Sequence, residues 1–69
     1  HIQNALENAL TNYSKAISIN PTYTAAYFYR AKANLKLNKT TEAKHDIEKA
    51  LELDPGNTEY TDFWKSLSK

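Results

Sequence analysis

Residues 24–57 read TAAYFYRAKANLKLNKTTEAKHDIEKALELDPGN, and the second half of this stretch repeats residues 4–23 at a fixed offset of 34. Self-similarity at this period is typical of helix-turn-helix repeats, in which each unit buries its apolar stripe only by stacking on its neighbours. The sequence therefore predicts a repeat architecture. The identical pairs are Asn4 and Asn38, Ala9 and Ala43, Lys15 and Lys49, Ala16 and Ala50, and Pro21 and Pro55.

Apolar residues recur at helical spacing in residues 5–19, 25–37, 41–53 and 58–68, with Leu6, Leu10, Tyr13 and Ile17 as the clearest row. Asn20-Pro21 and Asp54-Pro55-Gly56 separate these segments, because proline cannot continue a helical hydrogen-bond ladder. The sequence therefore predicts an all-α fold of about four antiparallel helices.

Polar residues next to these segments predict the helix ends. Asn4 and Asn38 are expected to end helices, since asparagine tolerates the left-handed conformation. Threonine or asparagine side chains are expected to cap the starts of the second, third and fourth helices. The candidates are Thr22 to Thr24, Thr40 or Thr41, and Asn57 or Thr58.

Ala26-Tyr27, Ala31, Ala43, Ala50 and the ending LELDPGN resemble the tetratricopeptide repeat (TPR) over nearly the whole chain. The resemblance implies one domain over residues 1–69. Within it, residues 4–23 form the second half of a preceding repeat, 24–57 one full repeat, and 58–69 a capping or third-repeat helix. The alanines allow close approach of antiparallel helices.

Three positions carry specific expectations about packing. Arg30 and Asn34 stand where the family usually has a leucine-like residue and a tyrosine, so the first helix of the full repeat is expected to pack loosely. Trp64 is expected to cover the helix that carries Ile47 and Leu51.

Composition limits the function classes. The chain has 69 residues, no cysteines and a mean hydropathy of −0.74, with no apolar run near the roughly 18 residues that span a bilayer. These features predict a cytoplasmic domain with no membrane role. The net charge of +1 gives no basic footprint for nucleic acid.

The charge is nevertheless unevenly distributed. Residues 1–39 carry five basic and one acidic side chain, and residues 40–69 carry four basic and seven acidic ones. A solvated surface of mixed sign is one interpretation. The other is that the basic half faces an acidic partner or the acidic half of another copy.

Enzymatic chemistry has little support in the sequence. Gly56 is the sole glycine, and no spacing suggests a nucleophile with its base, so no catalytic or cofactor-binding residue is predicted. Glu42, His45 and Glu48 share a helical face, but one histidine with two surface carboxylates is a weak zinc set. No metal site is predicted either.

The resemblance instead implies a peptide-binding surface. Family positions that touch a bound peptide correspond to Ala25, Phe28, Tyr29, Lys32, Lys36 and, on the last helix beside the acidic Glu59 and Asp62, Phe63. Tyr29, Lys32 and Lys36 form one stripe with Phe28 beside it, which suits an extended peptide carrying an apolar anchor and carboxylates. An ordinary solvated helix face is the competing interpretation.

A chaperone-tail clamp is argued against by the same resemblance. Such repeats use an asparagine where Tyr29 stands, and basic residues where Glu59 and Phe63 stand. The sequence thus predicts a non-catalytic protein-interaction module that binds a peptide or partner protein. The alternative is a structural solenoid segment, or a homo-oligomer formed because the row from Leu6 to Ile17 lacks its own partner helix.

Overall fold

The computed structural model describes residues 2–67, with side chains from Gln3 onward. Within this range the chain forms four α-helices and no strand: α1 (Ile2–Ile19), α2 (Thr24–Lys36), α3 (Thr40–Leu53) and α4 (Thr58–Leu67). Each helix packs against the next along the chain. The predicted all-α, four-helix fold is confirmed.

The turns follow from asparagine and proline chemistry. After α1, the side-chain Oδ1 of Asn20 accepts hydrogen bonds from the backbone N–H and the hydroxyl of Thr22, at 3.3 and 3.0 Å. Between α2 and α3, Asn38 adopts a φ of 63°, the left-handed conformation predicted for it. This conformation turns the chain sharply enough for α3 to return along α2.

Asn4 behaves differently from Asn38, and the prediction that it ends a helix is wrong. Asn4 lies inside α1, which runs without interruption from Ile2 to Ile19. An asparagine in a helix costs well under 1 kcal/mol relative to alanine, and its neighbours are good helix formers. At Asn38 the reversal is stabilised by the packing of α2 on α3, which a local residue type cannot supply.

The predicted helix caps are confirmed only for α4. There the backbone N–H of Tyr60 donates to Asn57 Oδ1 at 3.2 Å. The N-cap residues of α2 and α3 are Tyr23 and Lys39, and neither makes a side-chain capping bond. Both helices nevertheless begin at a threonine, Thr24 in α2 and Thr40 in α3, one residue after the N-cap position.

The hydrophobic core lies between α2, α3 and α4. Three alanines, Ala31, Ala43 and Ala50, have no exposed surface, as their predicted role in close helix contact requires. Ile47 is the largest fully buried side chain. The remaining core members are the aromatic residues Tyr27, Phe28 and Tyr60.

Trp64 is not a member of this core cluster, and its predicted contact with the helix that carries Ile47 and Leu51 stays a prediction. It is 37% exposed, whereas Tyr60 is buried and Phe63 and Leu67 pack against the cluster. Tyr60, Phe63 and Leu67 share one stripe of α4, and Trp64 lies at the edge of that stripe. The rotation of α4 about its axis, which contact with α2 and α3 decides, places the smaller rings inward.

Among residues 2–67, no helix is both long enough and apolar enough to cross a membrane.

Candidate functional site

One side of α2 carries a buried polar network where loose packing was expected. Arg30 Nε donates to Asp46 Oδ2 at 2.9 Å, and Arg30 NH2 donates to Asp46 Oδ1 at 2.6 Å. Asn34 Nδ2 also donates to Asp46 Oδ2, at 2.9 Å. The two departures from the family pattern are therefore partners of one carboxylate on α3, and the prediction of loose packing is wrong.

The same guanidinium reaches the first helix. Arg30 NH1 donates to Ser14 Oγ at 3.2 Å, and the guanidinium lies 5.6 Å from the centre of the Tyr27 ring. Arg30 thus links α1, α2 and α3. Sequence reasoning missed the network because Asp46 follows Arg30 by 16 residues, a spacing that has meaning only once the helices are packed.

The other side of α2 is aromatic. Phe28 lies 4.7 Å from Tyr60 and 5.6 Å from Phe63, measured between ring centres. It is only 4% exposed, so it differs from the prediction of a contact residue beside the Tyr29 stripe. Tyr29, in contrast, is 48% exposed. The structure therefore divides the adjacent pair into one core ring and one surface ring.

Tyr29 also stacks on the first helix. Its ring centre lies 6.0 Å from that of Tyr13, with the two planes inclined by 29°, and 5.6 Å from that of Phe28. Rings from α1, α2 and α4 consequently form a continuous series that runs from Tyr13 through the exposed Tyr29 to the buried Phe28 and Tyr60. Aromatic pairs at these separations contribute packing energy beyond their buried area.

Beside this series lies a groove between α1 and α2, with a volume of about 230 Å³. We call it the α1–α2 groove. It combines a mostly apolar floor with two exposed ammonium groups. Its lining residues are Leu6, Ala9, Tyr13, Tyr29, Lys32, Ala33 and Lys36.

The groove contains part of the predicted peptide-binding set. Tyr29, Lys32 and Lys36 line it together, as their helical stripe predicted. Ala25 and Phe63 are half-buried and lie outside its lining. The contribution of α1 was missed, although the row containing Leu6 and Tyr13 was expected to be partly uncovered.

The two lysines of the groove differ in their surroundings. Lys32 Nζ lies 4.9 Å from the centre of the Phe28 ring, a cation–π contact. Lys36 lies in the last turn of α2, where a positive charge also complements the helix dipole. Both side chains are exposed. The groove therefore presents positive charge along its α2 wall.

The sign of the surface changes toward α4. Glu59 and Asp62 are exposed on that helix. Burial raises the pKa of the Tyr60 hydroxyl above its ordinary value of 10.0, with smaller contributions from the charges of Asp54 and Glu59 and from Tyr29. The exposed charges are therefore positive along the α2 wall of the α1–α2 groove and negative on α4.

Comparison with known proteins agrees with this architecture. Two family models match the chain, one described as TPR repeat over residues 1–38 and one as tetratricopeptide repeat over residues 24–57. A solved structure described as the first TPR of Spaghetti (RPAP3) bound to the HSP90 peptide SRMEEVD superposes with a TM-score of 0.82. It is 39% identical in sequence, and the match covers 86% of this chain and 47% of that one.

Curated relatives match over short parts of their length. Human RNA polymerase II-associated protein 3 is 43% identical over 78% of this chain, and rat sperm-associated antigen 1 is 49% identical over 74%. Human protein O-mannosyl-transferase TMTC3 is 41% identical over 96% of the chain. The chain spans only 6 to 8% of these three proteins, so the activity in the last name is not transferred to it.

The chain belongs to the tetratricopeptide-repeat family. The chain has the helical-repeat fold of this family, and a similar solved structure contains a bound peptide. The fold is therefore that of a protein-interaction module.

Proposed function

We propose that this domain binds an extended peptide with acidic and apolar side chains in the α1–α2 groove. The composition of the groove lining supports this proposal. Tyr13 and Tyr29 supply a rigid apolar wall, and Lys32 and Lys36 place two ammonium groups along its edge. Rigid aromatic anchors with charged neighbours are the pattern of energetically important contacts at protein interfaces.

The small residues of the floor make room for an anchor. Ala9 and Ala33 line the groove together with Leu6, and a volume of about 230 Å³ accommodates one apolar side chain. Lys36 is the ammonium group better placed to pair with a ligand carboxylate, because Lys32 already contacts the Phe28 ring. The binding set in this proposal is therefore Tyr13, Tyr29, Lys32 and Lys36, with Phe28 supporting the surface from the core.

The peptide held by the structural neighbour has this composition. SRMEEVD carries three acidic side chains together with methionine and valine. In our proposal this chain binds the side-chain carboxylates and one apolar side chain of the peptide, and does not bind the C-terminal carboxylate of the peptide. Tyr29, Glu59 and Phe63 stand at the positions where clamp repeats place asparagine and cations.

The test is a titration of the chain with SRMEEVD as free acid and as C-terminal amide, followed by NMR chemical shifts. We expect shifts on Tyr13, Tyr29 and Lys36, affinities for acid and amide within about twofold, and weaker binding as salt rises, since exposed charges are screened beyond about 8 Å. A peptide with both glutamates changed to glutamine should bind more weakly. Binding that needs the free terminal carboxylate would contradict the proposal.

Matched variants separate the groove from the rest of the surface. Lys36→Gln and Tyr29→Ala should weaken binding, whereas Lys44→Gln on α3 removes an exposed lysine outside the groove and should not. Shifts confined to α3 and α4, which contribute no residue to the groove lining, would exclude the site. A melting temperature that rises with protein concentration, without peptide binding, would support self-association instead.

A further inference from the structure

A second and larger concavity lies between α1 and α3, on the other side of the α1–α2 contact. We call it the α1–α3 cleft. It has a volume of about 400 Å³ and shares no lining residue with the α1–α2 groove. Its lining residues are Leu10, Ser14, Arg30, Asn34, Glu42, His45 and Asp46.

The floor of the cleft carries little free charge. Arg30 forms a two-bond ion pair with Asp46, and its remaining terminal nitrogen donates to Ser14 Oγ. The positive charge of the guanidinium is thus balanced by a carboxylate on the floor itself. An anionic ligand would have to compete with Asp46, so the cleft is not an anion site.

The rim carries the uncompensated charge. Glu42 lines the cleft and is exposed, and its carboxylate makes no ion pair or hydrogen bond to the described residues 2–67. Glu7, also exposed, lies one turn before Leu10 on the stripe of α1 that faces the cleft. Glu7 lies outside the lining of the cleft, but α1 and α3 both run antiparallel to α2, and Glu7 and Glu42 are each near the N-terminal end of their helix.

From this combination we infer that the α1–α3 cleft is a second interaction surface, which takes an arginine side chain of a partner protein. The aliphatic stem of an arginine can pack on the half-buried Leu10 while its head stays at the rim. A guanidinium pairs with carboxylates in a two-bond geometry and stacks on ring faces, and Glu42 and His45 offer these two contacts. The positive charge of the partner's arginine thus complements the negative charge of Glu42, which no group on the floor of the cleft neutralises.

The experiment uses the full 69-residue chain and two peptides, acetyl-Ala-Gly-Arg-Gly-Ala-amide and the same peptide with citrulline in place of arginine. Citrulline keeps the shape of arginine and removes its charge. We expect the arginine peptide to shift the NMR signals of Ser14, Glu42, His45 and Arg30 Nε–H. The citrulline peptide should shift them much less at the same concentration.

Variants at the rim give the quantitative test. Glu42→Gln and Glu7→Gln should each weaken arginine binding by about two- to fivefold, the range measured for exposed charge pairs. The double change Glu7→Lys with Glu42→Lys should abolish it. Glu48→Gln removes an exposed carboxylate from the same helix outside the cleft and should leave binding unchanged.

Two results would overturn the inference. One is equal shifts from the citrulline and arginine peptides, since charge would then play no part. The other is a set of arginine-dependent shifts confined to surfaces outside the cleft. All three positions changed here, Glu7, Glu42 and Glu48, are exposed, so the variants should remain folded, and an unchanged melting temperature checks this.

Discussion

The two sides of α2 contact neighbouring helices through different kinds of interaction, one polar and one aromatic. Toward Asp46, α2 is joined to α3 through Arg30 and Asn34, by charge-assisted hydrogen bonds with fixed directions. Toward α4, it packs through Phe28 on Tyr60 and Phe63, by contacts that need volume and little directionality. The polar contact requires particular hydrogen-bond partners, whereas the aromatic contact gains its stability from buried apolar area.

This difference has a functional side. The aromatic series continues into the exposed Tyr29 and the half-buried Tyr13, which both line the α1–α2 groove. The polar network continues into the α1–α3 cleft, whose floor it neutralises. Each of the two candidate surfaces is therefore lined by residues that also hold α2 against its neighbouring helices.

The largest expected effect is loss of the central ring. Phe28→Ala should lower the free energy of unfolding by about 3 to 5 kcal/mol, because it removes a buried ring and leaves a cavity between α2 and α4. Urea denaturation measures this. Tyr29→Ala, the matched change on the exposed neighbour, should cost about 1 kcal/mol or less. Equal costs at the two positions would mean that the division into core ring and surface ring is wrong.

Somewhat smaller is the effect of removing the shared acceptor. Asp46→Ala leaves Arg30 and Asn34 without their carboxylate and should cost about 2 to 4 kcal/mol, since the buried amide of Asn34 and the partly buried guanidinium of Arg30 then lose their acceptor. The control is Asp62→Ala, which removes an exposed carboxylate from α4. A cost below about 1 kcal/mol for Asp46→Ala would show that water replaces the network freely.

Replacing the whole network with apolar residues tests whether its hydrogen bonds raise the free energy of unfolding. The triple variant Arg30→Met, Asn34→Leu, Asp46→Leu removes all three partners together. It should unfold within about 1 to 2 kcal/mol of the unmodified chain, because well-packed apolar residues often replace a buried ion pair without loss. Denaturation of the triple variant alongside Asp46→Ala gives the comparison. A triple variant as unstable as Asp46→Ala would show that the network itself stabilises the fold.

The smallest effect is a pH dependence from the aromatic side. The pKa of Tyr60 is raised by burial, so the unfolded chain ionises first as pH increases. The stability contributed by neutral Tyr60 is complete below about pH 10 and is lost as pH rises from there through the folded-state pKa. Melting temperatures between pH 8 and 11 should therefore fall more steeply for the unmodified chain than for Tyr60→Phe. Parallel curves would contradict a raised pKa.

Much of the fold follows from local pattern, and much of the site does not. The repeat of 34, the alanines and the prolines predict the helices, and Tyr29, Lys32 and Lys36 share a stripe simply because they share a helix. The inward position of Phe28 was missed, since two adjacent aromatics differ in burial only after α4 is placed. The α1 wall of the groove was missed as part of the site because it forms only when α1 packs against α2.

The sequence by itself determined the family and the order of the helices, because these depend on periodicity and on the breaks that proline imposes. Only the tertiary structure decided that Arg30 and Asn34 share Asp46, that Tyr60 is buried while Trp64 is partly exposed, and that two separate concavities flank α1. Such features depend on the rotation of each helix against its neighbours, which side-chain volumes and hydrogen-bond partners on distant segments fix together.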